Sequence, residues 1–266
     1  MTEPYELKEE TERLILVGVQ EQAGDDTEDS VYELGELVQT AGAEVVGTMI
    51  QRRERIHPGT YIGKGKIEEV RMMADALEAT GIVCDDELSP AQMNNLQQEL
   101  NLKVMDRTLV ILDIFARHAV TSEGKIQVEL AQLRYRAAHL KGLGRSLSRL
   151  GGGIGTRGPG EKKLEVDRRR IHDRIGQLKR ELAEVVKHRE LVRTQRKRSN
   201  NKVAALTGYS SSGKSSIENY LTKAGILEDA KLFSTLDTTT RVLQLSGKQE
   251  ILLTDTVGFI RKLPII

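Results

Sequence analysis

The sequence contains no tryptophan, one cysteine, and only three Phe and six Tyr among 266 residues. The single Cys84 excludes an intramolecular disulfide framework and any cysteine-based zinc finger. It follows the apolar Gly81-Ile82-Val83, which predicts a thiol buried at a strand end rather than a nucleophile. No apolar run approaches the ~20 residues of a membrane span. The first ten residues, MTEPYELKEE, are acidic and lack the apolar stretch of a secretory signal. These absences predict a soluble, monomeric, cytoplasmic protein, peripheral at a membrane at most. Aromatics are scarcest in the middle of the chain, where Tyr135 is the only Phe, Tyr or Trp between positions 116 and 208. Sequence-specific readout of single-stranded nucleic acid by base stacking is thereby disfavoured.

Charge of one sign is nearly absent on balance, since 40 Lys+Arg meet 39 Asp+Glu for a net charge of +1. The balance is a cancellation. Between Lys125 and Lys202 there are 22 Lys and Arg against 8 Asp and Glu, an excess of fourteen, whereas the first thirty residues hold ten acids. A basic middle is set against an acidic body. The length suits roughly two domains of ~100–150 residues, each with its own core.

Residues 13 to about 118 alternate short apolar runs with helical patterns. Strands are predicted at Leu14–Val19, Glu44–Ile50, Ile82–Cys84 and Lys103–Met105, with helices over 28–41, 65–79, 90–100 and 107–118. Ser89-Pro90 offers an N-cap followed by proline at the first helical position. Val- and Ile-rich strands alternating with helices predict a parallel α/β domain over 1–122. The stretch QRRERIHPGTYIGKGK (51–66) reads as an exposed Gly- and Arg-bearing loop, either solvated or in contact with phosphates.

Residues 123–200 read as a helical hairpin. Ile126, Leu130, Leu133, Ala137 and Leu140 share one helix face. Leu164, Ile171, Leu178, Val185 and Val192 recur every seven residues, with Ile175 and Leu182 between them, as in a coiled-coil seam that Arg168 and Arg189 interrupt. The antiparallel pair is expected to be joined by the loop 141–160, KGLGRSLSRLGGGIGTRGPG, which has eight glycines. Glycine permits close backbone approach, and Arg145, Arg149 and Arg157 supply phosphate contacts suited to an RNA cavity. Composition alone also allows a flexible linker.

The third part, 201–266, begins with an apolar strand at Val203–Leu206 that runs into Gly208-Tyr209-Ser210-Ser211-Ser212-Gly213-Lys214-Ser215. G-x-x-x-x-G-K-S between a strand and a helix is a phosphate cradle. Its backbone N–H groups wrap phosphates, Lys214 reaches the β- and γ-phosphates, and the Ser215 hydroxyl is placed for Mg²⁺. Further on, Ile251–Asp255 is an apolar strand ending in an acid, followed by Thr256-Val257-Gly258. An Asp at that place holds Mg²⁺ directly or through water, and Gly258 can turn its N–H toward a γ-phosphate. The order is GTPase-like, with Phe233-Ser234-Thr235-Leu236-Asp237-Thr238-Thr239 as the threonine-rich switch between.

With these motifs in order, the chain resembles the HflX family of translational GTPases, within the Obg-like group. The resemblance runs from Arg13 to Pro264 and rests on TYIGKGK (60–66), DDELSPAQ (85–92), DRTLVILDIFA (106–116), EGKIQVELAQL (123–133), GGGIGTRGPGE (151–161), LFSTLDTTTR (232–241) and LLTDTVGFIRKLP (252–264). It implies an N-terminal α/β domain, a hairpin whose Gly-rich loop probes the large ribosomal subunit and its rRNA near the peptidyl-transferase centre, and a P-loop GTPase domain. It implies GTP and GDP as ligands, Mg²⁺ as cofactor, and the dissociation or rescue of stalled ribosomes. ATP binding by the N-terminal domain is also ascribed to the family. Residue by residue, Gly208 to Ser216 would cradle phosphates, Ser215 and Thr235 would hold Mg²⁺, and Asp255, Thr256, Val257 and Gly258 would sense the γ-phosphate. Lys214 and Thr235 would be catalytic, with Thr239 the runner-up to Thr235. Phe259 stands where many GTPases carry a water-positioning glutamine, which implies slow intrinsic hydrolysis that depends on the ribosome.

Two departures stand out. Ser211 replaces an asparagine that helps coordinate an activating monovalent cation in related GTPases, and serine lacks that carbonyl oxygen. The N-K-x-D segment that reads guanine is also missing, so the triphosphate site is expected to be incomplete, with about three strands and an open apolar edge. Either the chain is a fragment of a longer one or it is a natural truncation with an impaired site. The competing readings are a ribosome-associated GTPase, a non-hydrolysing ribosome-binding factor and an ATP-dependent RNA-remodelling protein. Ser211 makes a direct prediction: turnover measured in KCl and in NaCl should be equal, and strong K⁺ stimulation would show that another group supplies the missing ligand.

Overall fold

The computed structural model describes residues 11–22, 24–150, 159–198, 202–222, 232–233, 238, 240–245 and 249–263. The chain divides into two compact units, Met1–Leu88 with Gln92–Val110, and Ser89–Ala91 with Ile111–Ile266.

The first unit alternates β1 (Arg13–Gln20), α1 (Thr27–Thr40), β2 (Glu44–Arg52), α2 (Lys64–Ala76), β3 (Gly81–Cys84), α3 (Pro90–Leu100), β4 (Lys103–Asp106) and the start of α4 (Arg107–His118). Every strand pair is parallel and the order is β2-β1-β3-β4, the arrangement the Val- and Ile-rich strands predicted. Helices pack on both faces, so β1 and β3 are buried throughout apart from half-buried Arg13, which is why their sequences are continuous apolar runs. Ile15, Val17 and Val19 face a core with Ile67 and Val70 of α2 and Leu96 and Leu100 of α3. On the opposite face α1 lies so close to β1 that a Cβ at Gly18 would sit 2.7 Å from the Val31 side chain. Cys84 is fully buried, and burial together with the neighbouring Asp106, Asp86 and Asp85 pushes its thiol far above the ordinary range. The thiol is inert, as expected.

Two features turn sequence into local order. Asp106 caps α4, its Oδ1 accepting from the Leu109 N–H at 2.8 Å while Oδ2 accepts from the Leu88 N–H at 3.1 Å. Next to it, the Arg107 guanidinium is 1% exposed and donates to Asp85 Oδ1 at 2.9 Å, to Glu33 Oε2 at 2.9 Å and to the Ser30 carbonyl at 2.5 Å. Ser30 Oγ in turn donates to Asp85 Oδ2 at 2.8 Å, so β3, α1 and the start of α4 meet in one buried polar knot.

The segment 51–66 differs from the exposed loop expected of it. Gln51 and Arg52 continue β2, and Lys64 to Lys66 open α2. Between them His57 and Tyr61 form an antiparallel bridge. Tyr61 is buried in a left-handed conformation, φ 65°, and its hydroxyl donates to Asp86 Oδ2 at 2.7 Å. Gln92 and Asn95 of α3 donate to the carbonyls of His57 and Gly59 at 2.9 and 2.8 Å. Protein partners meet the His57 and Gly59 carbonyls and Tyr61 to Gly63 pack down, whereas Arg52, Glu54, Arg55 and Pro58 stay exposed as expected.

The second unit contains the hairpin and a small sheet. α5 (Ser122–Leu150) and α6 (Pro159–Arg198) are antiparallel, since Glu123 pairs with Arg189 at 2.8 Å and Glu129 with Arg174 at 2.7 Å. Leu130, Ile175 and Leu178 form the seam with Ile126, Leu133, Ile171 and Leu182. The expected tip loop 141–160 is corrected: α5 continues through Leu150 and α6 begins at Pro159, so the glycines and arginines of 141–150 extend a helix whose periodic pattern already carried it to Leu140. The side chains of Leu164, Val192, Arg145 and Arg149 lie outside the described residues, as does Arg157.

The small sheet runs β5-β7-β6, built from β5 (Lys202–Leu206), β6 (Thr240–Leu245) and β7 (Gln249–Asp255), with α7 (Lys214–Thr222) following β5. β5 is parallel to β7 and β6 antiparallel to it. β5 is an edge strand, and Val203 on it is 63% exposed, matching the open apolar edge expected.

The knot around Arg107 predicts that Asp85→Ala, which strands a buried cation, lowers unfolding free energy by about 3 kcal/mol. Chemical denaturation followed by circular dichroism measures this, and a loss under about 1 kcal/mol would mean that the guanidinium finds other partners.

Candidate nucleotide site

Register builds the site. Leu206 at the end of β5 pairs with Asp255 at the end of β7, so the turns that follow both strands emerge side by side. The Thr256 hydroxyl donates to the Leu206 carbonyl at 2.6 Å and fixes the second turn to the first strand. The loop from Gly208 to Gly213 then folds back to deliver Lys214 as the first residue of α7. Gly213 turns at φ 82°, which glycine adopts readily, whereas Ser211 adopts φ 58°, a region that favours Asn and Gly over Ser. The asparagine that the resemblance implied at that position would fit this backbone better than the serine present here.

Lys214 Nζ donates to the Tyr209 carbonyl at 2.7 Å and is held over the loop. Ser215 Oγ donates to Asp255 Oδ2 at 2.9 Å, and Asp255, only 1% exposed, also accepts from the Thr256 N–H at 2.9 Å. The two motifs are also stitched by backbone. The Ser210 N–H donates to the Phe259 carbonyl at 2.8 Å and the Phe259 N–H to the Gly208 carbonyl at 3.0 Å. This bridge presses Gly258 onto the loop, where a Cβ would lie 2.5 Å from Ser210 Cα and 2.7 Å from Ser210 N. The Phe259 ring is exposed and meets Tyr209 edge to face, with centroids 6.3 Å apart.

Of the expected switch segment, Phe233 lies within the described residues. It is buried at φ 58°, donates its N–H to Ser210 Oγ at 3.1 Å, and sets its ring edge-on to Phe115 of α4 at 4.8 Å. Ser234, Thr235, Leu236, Asp237 and Thr239 lie outside the described residues. The structure therefore brings Gly208 to Ser216, Phe233 and Asp255 to Gly258 together. Sequence reasoning did not find β6, a short stretch whose apolar residues, Val242, Leu243 and Leu245, do not alternate cleanly with polar ones. Nor did it find the contact of Phe115 with Phe233, which has no sequence signal.

A strand, a G-x-x-x-x-G-K-S loop and a helix whose N-terminal N–H groups and lysine converge, beside a strand ending in aspartate, define a P-loop domain; such a helix start favours phosphate. Three family profiles cover nearly the whole chain, described as GTP-binding GTPase N-terminal over residues 28–116, GTP-binding GTPase Middle Region over 118–196 and 50S ribosome-binding GTPase over 203–264. The chain is 67% identical over 264 residues to the GTPase HflX of Lacrimispora saccharolytica, covering 99% of this chain and 62% of that protein. It is 43% identical over 256 residues to the GTPase HflX of Escherichia coli, covering 95% of this chain and 59% of that one. It thus spans about 60% of the length of these relatives. The crystal structure of SsGBP with GDP superposes with a TM-score of 0.54 at 26% identity, covering 96% of this chain and 65% of that one. The chain belongs to the HflX GTPase family.

The close apposition at Gly258 predicts that Gly258→Ala breaks the bridge between Phe259 and the loop. Hydrogen exchange should show the Ser210 and Phe259 amides losing about tenfold or more of their protection, with those of β1 and β3 unchanged.

Proposed function

We propose that this protein is a GTPase that binds the large ribosomal subunit and dissociates or rescues stalled ribosomes. The observation that carries the reading is the Ser215–Asp255 contact, 2.9 Å across forty residues of sequence, in a chain of this family. It sets the hydroxyl of the phosphate loop against a buried carboxylate, the pair that P-loop enzymes use around a triphosphate.

The donors fit Mg²⁺. Ser215 and Asp255 offer oxygen only, the ligands a hard cation takes, and few of them, as suits an ion that draws its remaining ligands from phosphates and water. Bound there, Mg²⁺ would neutralise charge on the phosphates. Ser215 would hold it directly and Asp255 would accept from its hydration shell, with Thr235 assigned to complete the set in the triphosphate state.

The remaining roles belong to the chain. The N–H groups from Ser212 to Ser216 bind the phosphates. Lys214 exchanges its Tyr209 carbonyl for the β- and γ-phosphates. Gly258 senses the γ-phosphate, which must part it from Ser210. Phe259 cannot orient water, so a group from the ribosome supplies that step. Guanine selectivity is assigned from family membership. The basic hairpin provides the contact with rRNA, with Arg145, Arg149 and Arg157 assigned to it. Among the described residues no helix is long and apolar enough to cross a membrane.

Multiple-turnover assays with and without purified large ribosomal subunits test the reading. Hydrolysis should be slow alone, rise at least about tenfold with subunits, and lose that rise steeply between 50 and 200 mM salt as phosphate contacts release counterions. Replacing Arg145, Arg149 and Arg157 together with Ala should remove the stimulation while leaving the basal rate intact. Subunit binding without any turnover would instead identify a non-hydrolysing binding factor.

A further inference from the structure

The turn after β7 is pinned to the phosphate loop and its strand at both ends, and the two sets of pins differ in kind. At the near end they are side chains: Ser215 Oγ donates to Asp255 Oδ2 at 2.9 Å and the Thr256 hydroxyl to the Leu206 carbonyl at 2.6 Å. At the far end they are backbone. The Ser210 N–H donates to the Phe259 carbonyl at 2.8 Å and the Phe259 N–H to the Gly208 carbonyl at 3.0 Å. Val257 and Gly258 are the two residues between the ends.

The far pins close the space beside the loop. Gly258 rests so near Ser210 that a Cβ on it would lie 2.5 Å from Ser210 Cα. Non-bonded heavy atoms keep well over 3 Å from a carbon, so that spot admits neither a methyl group nor a phosphate oxygen. Over the closure lie two rings that the roles assigned above do not use. Tyr209 is 68% exposed and Phe259 55%, and they meet edge to face with centroids 6.3 Å apart. Each ring is carried by a residue of the bridge, so their contact favours the closed arrangement.

We propose that the Tyr209–Phe259 pair is a latch that sets the choice between triphosphate and diphosphate: it holds Gly258 against Ser210, and a γ-phosphate has to open it whereas GDP does not. This rests on the nucleotide function proposed above. Both are specificity-determining residues and not catalytic ones, since each ring acts through the backbone that carries it. A ligand shifts an equilibrium only by its preference for one arrangement, so the latch opposes GTP binding and leaves GDP binding as it is. The near pins stay made with either nucleotide, which confines the opening to Val257, Gly258 and Phe259.

The test measures affinities for fluorescent GDP and a fluorescent non-hydrolysable GTP analogue in Mg²⁺. It uses the wild-type chain, Phe259→Ala, Tyr209→Ala, Tyr209→Phe and the paired alanine change, with thermal melting as the check on folding. Each alanine variant should raise the GTP-to-GDP affinity ratio about fivefold, the size of an aromatic pair of this kind. The paired change should raise it no further, because either deletion already removes the contact. Tyr209→Phe keeps the ring and should keep the wild-type ratio. Hydrogen exchange adds a readout that a purely structural contact would not move. In the wild-type chain the Ser210 and Phe259 amides should lose about tenfold or more of their protection when the GTP analogue replaces GDP. An unchanged ratio in the folded alanine variants, or amides equally protected with either nucleotide, overturns the proposal. If neither nucleotide binds the wild-type chain, the functional reading itself falls and the latch with it.

Discussion

The parallel pairing of β5 with β7 is the constraint on which the site depends. Ser215 and Asp255 are forty residues apart, and only the Leu206-to-Asp255 register brings them within a hydrogen bond. A slip of one residue would turn Asp255 to the other face of the sheet and leave the Ser215 hydroxyl without it. Parallel strands have no tight turn to fix their offset, so side chains must do it. Here the Thr256 hydroxyl holds the Leu206 carbonyl on one side of β7, and on the other the Thr240–Thr254 pair ties β6. The same offset carries beyond the strands into the bridge between Tyr209 and Phe259, which ties the loop to the second motif.

The two units hold their polar groups in opposite ways. In the first, Arg107, Asp85 and Ser30 are withdrawn from water and bonded to one another, while Asp106 beside them accepts from the Leu88 and Leu109 N–H groups. Such a knot resists change, because moving any member strands the rest. In the second, the sheet has an exposed edge in β5, and its buried apolar residues among those described are few, Leu232, Phe233, Leu253 and Ile260.

Much of this was legible in the sequence, for identifiable reasons. Strands such as RLILVGVQ declare themselves because burial on both faces demands an unbroken apolar run, and all four strands and four helices of the first unit lie within a few residues of their predicted bounds. The phosphate loop was legible because its glycines, lysine and serine have no other common reason to occur at that spacing. Segment 51–66 misled because its composition is that of a solvated loop, while its order comes from Asp86, Gln92 and Asn95, distant residues that no local pattern includes. The tip misled in the opposite sense. Glycine-rich sequence suggested a loop from Lys141, yet helix once nucleated propagates at small cost per residue through Leu150. Contacts such as Phe115 with Phe233 were invisible because they join residues with no shared periodicity.

The charge partition completes the argument. In the hairpin Glu123 pairs with Arg189 and Glu129 with Arg174 across the helices, while Arg168, Arg169, Lys179 and Arg180 stand exposed along α6. The apolar seam that opposes their mutual repulsion is short, with Leu130, Ile175 and Leu178 its buried residues. Like charges this dense weaken the hairpin when nothing neutralises them. A polyanion laid along α6 relieves that repulsion, and whatever binds the folded hairpin more tightly than the unfolded one stabilises it. A net charge of +1 thus conceals a strongly basic middle and an acidic remainder. The loop at Gly208 meets phosphate differently, through backbone N–H groups at the start of α7, a position that favours an anion.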